Sequence, residues 1–278
     1  MQKPPMLTDN TALGRFRDRA LRSDHPALFL QEEAAFEINE RLNEVNRAFT
    51  NLAIVTPFPT IWQNLLPNAK IIADDEVLAL EPEAHDLIIH SISLHWSNDP
   101  VGQIIQCRRA LKPDGLFLGV CFGGETLAEL RAAMAEAEVA ITGGLSPRVA
   151  PMGEIRELGA LLQRAGFAMP VADAAIKTVT YENMGRLVTD LRLMGENNAL
   201  AQRRKTFAPR ALFQKASEIY ATHFKTDDGR IPATFEMIFL TGWAPDESQP
   251  KPLRPGSATA RLADALNTAE NPLPDTAK

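Results

Sequence analysis

Cysteine is almost missing from this chain. Cys107 and Cys121 are the only two in 278 residues, they form no CxxC pair, and no Cys/His cluster has metal-site spacing. A disulfide framework is thereby disfavoured and a reducing compartment, the cytoplasm, is expected. Both thiols sit in apolar surroundings and are expected in the core. No apolar run approaches the ~18 residues of a membrane span, and the opening MQKPPMLTDN has no apolar signal core. Basic charge is also in deficit: the net charge is −6, which argues against a general nucleic-acid binder. There is no GxxxxGK phosphate loop, and no motif links any of the five histidines to a Ser or Cys nucleophile. The absence with the widest consequence is glycine, of which there is none between Gly14 and Gly102.

What is present is ordinary for a folded protein, at 45% hydrophobic and 23% charged residues. Residues 11–50 read as helix, with Phe29, Ala34, Phe36, Ile38, Leu42, Val45 and Phe49 recurring at helical spacing. Within that span the run Arg15–Arg22, RFRDRALR, reads as a solvated helix face. NLAIV then forms a strand, residues Thr60–Leu66 a short helix, and AKIIA a second strand ending in Asp74-Asp75. DLIIHSISLHW (Asp86–Trp96) is the third strand, its continuous apolar run suited to a sheet covered on both faces.

Asp99-Pro100 supplies an N-cap and a first-turn proline for the next helix. LFLGVCF (Leu116–Phe122) is a strand broken by Gly123-Gly124, after which Thr126 and Glu129 form a capping box. A helix with Pro151 near its first turn stops at Gly166. A strand over Val171–Tyr181, helices over 183–225 and a strand over Thr234–Trp243 complete the ordered part. Arg203-Arg204-Lys205 reads as a basic helix face. Strands alternating with helices predict an α/β fold with a mostly parallel sheet. Three regions are expected: a helical segment 1–50, an α/β domain 51–243, and a tail 244–278 that holds six of the twenty prolines.

The stretch HDLIIHSISLHWSNDPVGQIIQCRRALKPDGLFLGVCFGGETLAELR resembles the fourth strand, helix and fifth strand of class I S-adenosylmethionine-dependent methyltransferases. GGLSPRVAPMGEIRELGALLQRAGF, LVTDLRLMGENNAL, DGRIPATFEMIFLTGW and RPGSAT resemble the complex I assembly-factor branch, which includes a mitochondrial protein arginine hydroxylase. The likeness runs from about Leu13 to Thr259. It implies a Rossmann-like methyltransferase core with a helical insertion at 183–225. It further implies S-adenosylmethionine as cofactor, no metal, and a protein partner such as a respiratory complex I subunit.

The residues complicate that expectation. In this superfamily a glycine loop follows the first strand, because glycine lets the backbone approach the ligand and tolerates positive φ. Here the matching loop is Thr56-Pro57-Phe58-Pro59-Thr60, whose two prolines remove two N–H donors. Only 17 residues separate Thr56 from Asp74, room for one helix, so one strand–helix unit is expected to be missing. An alternative keeps AKIIADD as the second strand itself, with a ribose-binding acid at its end. By resemblance, a bound cofactor would meet Asp74, Asp75, Ser93, Leu94 and His95. Trp96, Gly123, Gly124 and Arg148 would face substrate or partner. Trp96 and His95 could equally pack locally, the glycines could be a plain turn, and Arg148 could be solvated. Two functions remain open: a protein with a degenerate cofactor site that works by protein contact, and an active methyltransferase or hydroxylase.

Overall fold

A computed structural model describes residues 6–250 together with Asp264, Leu266 and Thr268. The motif RPGSAT and most of the proline-rich tail lie outside the described residues. Met1–Asp246 form one compact unit and Glu247–Lys278 a second.

The N-terminal helical segment consists of α1 (Asn10–Leu21) and α2 (Phe29–Val45). Ser23 to Pro26 interrupts them, because the residue before a proline is pushed out of the helical region. Asp9 caps α1 by accepting the Ala12 N–H. The chain continues through β1 (Leu52–Val55), α3 (Pro59–Leu65), β2 (Lys70–Ile72), β3 (His85–Ser91), α4 (Pro100–Ala110) and β4 (Leu111–Phe122). Then follow α5 (Ala128–Thr142), α6 (Ile155–Arg164), β5 (Ala168–Tyr181), α7 (Met184–Leu193), α8 (Arg210–Phe224) and β6 (Ile231–Trp243).

The sheet has six strands in the order β2-β1-β3-β4-β6-β5. The first four pair in parallel, as in Leu52 with Leu87 and Ile88 with Phe117. Strand β6 is antiparallel to both β4 and β5, with Val120 opposite Phe239. A single helix, α3, joins β1 to β2, and β2 lies directly beside β1. The sheet is therefore built with one strand–helix unit between the Thr56 loop and Asp74, the shortening that the spacing anticipates.

The period of two sorts each strand between two cores. Ile54, Leu87, Ile89, Leu118 and Val120 face α2, α5 and α8, whereas Val55, Ile88, Phe117 and Cys121 face α4 and α6. Because both faces are covered, the strands read as continuous apolar runs. Cys107 and Cys121 are buried and unpaired, and burial pushes the Cys121 thiol up to about 12.

Four local expectations need correction. The third strand ends at Ser91, short of Trp96: Ile92 adopts φ +35°, donates its N–H to Val120, and turns the chain into a 3-10 turn over Leu94–Trp96. Thr126 and Glu129 do not cap their own helix. The Thr126 hydroxyl exchanges hydrogen bonds with the Glu236 backbone, and the Glu129 carboxylate accepts from the Thr234 N–H and hydroxyl. Tertiary contact with β6 thus outcompetes the local cap. Helix α6 starts at Ile155, four residues beyond Pro151. Arg203 to Lys205 lies in a turn ahead of α8, where Pro209 sets the N-cap.

Candidate functional site

The carboxyl ends of β1, β2 and β3 converge on a cavity of about 270 Å³, the place where open α/β sheets hold ligands. Asp74, Asp75, Ser93, Trp96 and Pro57 line it, roofed by Arg17 and Gly14 of α1. So the fold brings together four of the sequence-predicted positions. Leu94 goes elsewhere, packed in the core on the α4 side of the sheet. Asp75 is exposed and its carbonyl accepts from Gln103 Nε2 at 2.9 Å. Ser93 is 2% exposed, and its hydroxyl has no protein partner.

Asp74 is already engaged. Arg17 Nη1 lies 2.7 Å from its carboxylate, with side chains 10% and 15% exposed. The expectation of a solvated RFRDRALR face therefore fails at Arg17, which turns inward because Asp74 offers a buried counter-charge. Its Nε and Nη2 remain without protein partners.

The loop has few backbone donors left. Thr56 N–H bonds to the Ile72 carbonyl, and Phe58 N–H bonds to the Thr56 hydroxyl at 3.1 Å. Pro57 and Pro59 have no N–H, so at most the Thr60 N–H is uncommitted among the five loop residues. Phe58 is fully buried and occupies the N-cap of α3 with no capping side chain. A helix start can bind anions through free N–H groups, but this one has lost most of them.

A second cavity, about 300 Å³, opens on the other side of Trp96. Its walls are apolar, from Leu127, Leu130, Met134, Val188 and Phe213, and Arg148, Arg192, Arg203 and Arg204 also line it. Glu196 also lines it and is only 8% exposed at the side chain. Trp96 Nε1 donates to Glu196 at 2.7 Å and His95 Nε2 lies 3.2 Å from the same oxygen. Burial pushes the Glu196 pKa up, but His95, the Arg17 charge and the Trp96 N–H hold it below its ordinary value. Its other oxygen is buried without a protein partner.

His95 stacks on Phe122 at 4.9 Å between ring centroids and does not line the first cavity. Gly123 and Gly124 form the turn after β4. A Cβ on Gly123 would meet Glu236 Oε2 at 2.4 Å, and one on Gly124 would meet Glu154 Oε1 at 2.4 Å. These glycines make room for carboxylates of this chain, and the Glu125 N–H binds Glu236 in turn.

Arg148 is not a solvated surface charge. It bonds Glu138 at 2.6 Å, and Ser146 donates its N–H and hydroxyl to the same carboxylate. Burial pushes the Glu138 pKa up, yet the Arg148 and Ser146 hydrogen bonds override this and hold it at about 2. A depressed carboxyl stabilises the fold above its unfolded pKa, and that contribution is lost as pH falls through the folded value. Against an ordinary glutamate near 4.5, this corresponds to about 3 kcal/mol. Glu138→Ala is therefore expected to lose about 3 kcal/mol in urea unfolding at pH 7. The difference from wild type should shrink between about pH 4.5 and pH 2; a pH-independent difference would contradict the assignment.

Arg17, Glu138 and Glu196 escaped the sequence reading. Nothing local marks them: Arg17 meets Asp74 across 57 positions and Glu196 meets Trp96 across 100. Among the described residues no group of three His, Cys, Asp or Glu side chains could hold a metal. No described helix is long and apolar enough to cross a membrane.

A four-strand parallel sheet extended by an antiparallel β6 and edge strand β5, with its cavity at the carboxyl ends, defines a Rossmann-like α/β protein of the methyltransferase type. The methyltransferase domain family matches residues 37–119. The mitochondrial arginine-hydroxylase NDUFAF5 of Danio rerio is 40% identical over 199 residues, covering 72% of this chain and 62% of that protein. The arginine-hydroxylase NDUFAF5 of Homo sapiens is 38% identical over 209 residues, covering 75% and 60%. A malonyl-[acyl-carrier protein] O-methyltransferase of Gallionella capsiferriformans is 30% identical over 207 residues, covering 73% and 67%.

The chain belongs to the class I S-adenosylmethionine-dependent methyltransferase superfamily, in the branch of the arginine-hydroxylase relatives. It spans about three fifths of the length of those two hydroxylases.

Proposed function

We propose that this protein keeps the methyltransferase fold but binds S-adenosylmethionine weakly if at all, and works by contact with a protein. The observation that carries the reading is the Thr56–Thr60 loop. Two of its residues are prolines, two of its N–H groups are spent inside the protein, and Phe58 fills the space under the helix start. Arg17 holds Asp74, an acid that would otherwise face the cofactor. These residues do not fit the polar end of the ligand, so no methyl-transfer step is assigned to them.

The working surface in this proposal is the second cavity. Relatives are named arginine-hydroxylases, and the lining of this cavity joins apolar side chains such as Leu130 and Val188 to the charged Arg192 and Glu196. By the resemblance, the partner would be a subunit or assembly intermediate of respiratory complex I. The buried, unpaired Cys107 and Cys121 agree with a reducing, cytoplasmic location, although the hydroxylase relatives named above are mitochondrial.

Titration calorimetry with S-adenosylmethionine and S-adenosylhomocysteine tests the reading. Dissociation constants above about 1 mM are expected, since lost donors and a blocked acid each remove charge-assisted hydrogen bonds of about 1.5–3 kcal/mol. Micromolar binding would sink it. A second reading, an active S-adenosylmethionine-dependent methyltransferase or hydroxylase, draws on the cavity that survives beside Asp75 and Ser93. It requires Asp75→Ala to reduce activity toward a protein or small-molecule substrate; unchanged activity removes it.

A further inference from the structure

The second cavity is a cleft bordered by three helices. Leu130 and Met134 of α5, Val188 and Leu191 of α7 and Phe213 of α8 give it apolar walls. At about 300 Å³ it stands at the lower end of the range for small-molecule sites, which runs from about 300 to 1,000 Å³. With roughly 30 Å³ for each water-sized group, the cleft has room for one chain of about ten carbons.

Four arginines line the cleft, Arg148, Arg192, Arg203 and Arg204, against one acid, Glu196. Much of that charge is compensated inside the protein. Arg148 is held by Glu138 at 2.6 Å and Arg203 by Asp9 at 2.9 Å, while Trp96 and His95 engage Glu196. Arg192 and Arg204 have no carboxylate partner among the described residues, and Arg204 Nε bonds to the Thr206 hydroxyl. Two guanidiniums without a counter-charge thus border apolar walls, in a chain whose net charge is −6. The first cavity has the opposite balance. Asp18, Asp74, Asp75 and Glu76 line it, and its one basic residue, Arg17, is bound to Asp74. An anion is therefore attracted to the second cavity and repelled by the first.

We infer that the second cavity binds a small amphipathic monocarboxylate, a straight acyl chain of about eight to ten carbons. Its tail lies against the walls from α5, α7 and α8, and its carboxylate pairs with Arg192 and Arg204. Burial of the tail supplies the affinity, and the guanidiniums select the sign of the head group. An acidic side chain of a protein fits less well for a physical reason. Asp and Glu carry the carboxylate on a short stem and would leave most of the cleft empty. The inference concerns the cavity that the contact reading also uses, but it requires neither a partner protein nor S-adenosylmethionine, so either can fail alone.

Titration calorimetry of the full chain with sodium decanoate tests it. One molecule is expected to bind, with a dissociation constant on the order of tens of micromolar. Shortening the chain to octanoate and then hexanoate should weaken binding about fourfold for each methylene removed. Decanol and decylamine, which keep the tail without the negative head, should bind about tenfold more weakly or worse. Arg192→Ala and Arg204→Ala should each weaken decanoate binding about fivefold or more, and Val188→Trp, which fills the cleft, should abolish it. Arg192 and Arg204 are exposed, so their variants should melt at the wild-type midpoint, which separates lost binding from lost folding. Three results would overturn the inference. These are no binding of decanoate at about 1 mM, equal binding of decanol or decylamine, or full-strength binding by both arginine variants. Decanoate binding together with micromolar S-adenosylmethionine binding would sink the cofactor reading and leave this inference standing.

Discussion

Glu196→Ala is expected to lower the unfolding free energy by about 3–5 kcal/mol. The stability loss follows from what the carboxylate holds. The Trp96 N–H and the His95 ring both bond to it in a nearly dry site, and alanine leaves each buried and unpaired. Glu196→Gln keeps a hydrogen-bond acceptor for Trp96 but removes the charge, so it should fold better than the alanine variant.

The pH dependence has a definite sign. The Glu196 pKa lies below its ordinary value in the fold, so its contribution is present above about pH 4.5 and is lost as pH falls through the folded value. Urea unfolding of wild type and Glu196→Ala across pH 7 to about pH 3 measures this. A constant difference would show that the carboxylate is not ionised in the fold.

The second large effect concerns the roof of the first cavity. Asp74→Ala is expected to cost about 3–5 kcal/mol, because the Arg17 guanidinium is 10% exposed and would be left buried without its counter-ion. Replacing both partners with apolar residues, Arg17→Met with Asp74→Leu, should recover most of the loss, since no uncompensated charge then remains. The measurement is a double-mutant cycle by urea unfolding. If the two single losses simply add in the double variant, the pair is not coupled and α1 is not pinned by it. Because Arg17 also helps hold Glu196 ionised, Arg17→Met alone should move the Glu196 titration upward.

The two predictions meet at Trp96. It lines both cavities and is the wall between them. In the sequence it stood at the end of a strand, with packing and ligand roles equally open. In the structure it packs: it is 4% exposed, and its N–H donates to the Glu196 carboxylate. The strand ending that places it was invisible beforehand, since nothing in the run IHSISLHW announces that Ile92 will take φ +35°.

Several features were legible in the sequence because they depend on neighbours within a few positions. The Asp99-Pro100 start of α4 and the Gly166 stop follow from local backbone preferences, and both appear where those preferences put them. The loss of the glycine loop was equally local: two prolines between Thr56 and Thr60 remove donors in any fold that contains them. What only the tertiary structure decided are the charges. Arg17 read as part of a solvated face, Arg148 as partner-facing or solvated and Glu129 as a local cap, and nothing in the sequence singled out Glu138. Their partners come from other elements, or in the case of Glu138 from the loop after its own helix, and a pairing of that kind is set by where the strands and helices pack, not by residue type. NLAIVTPFPT thus shows by itself that the glycines are gone, while the Arg17–Asp74 pair and the Glu196–Trp96 hydrogen bond come from the packing of distant segments.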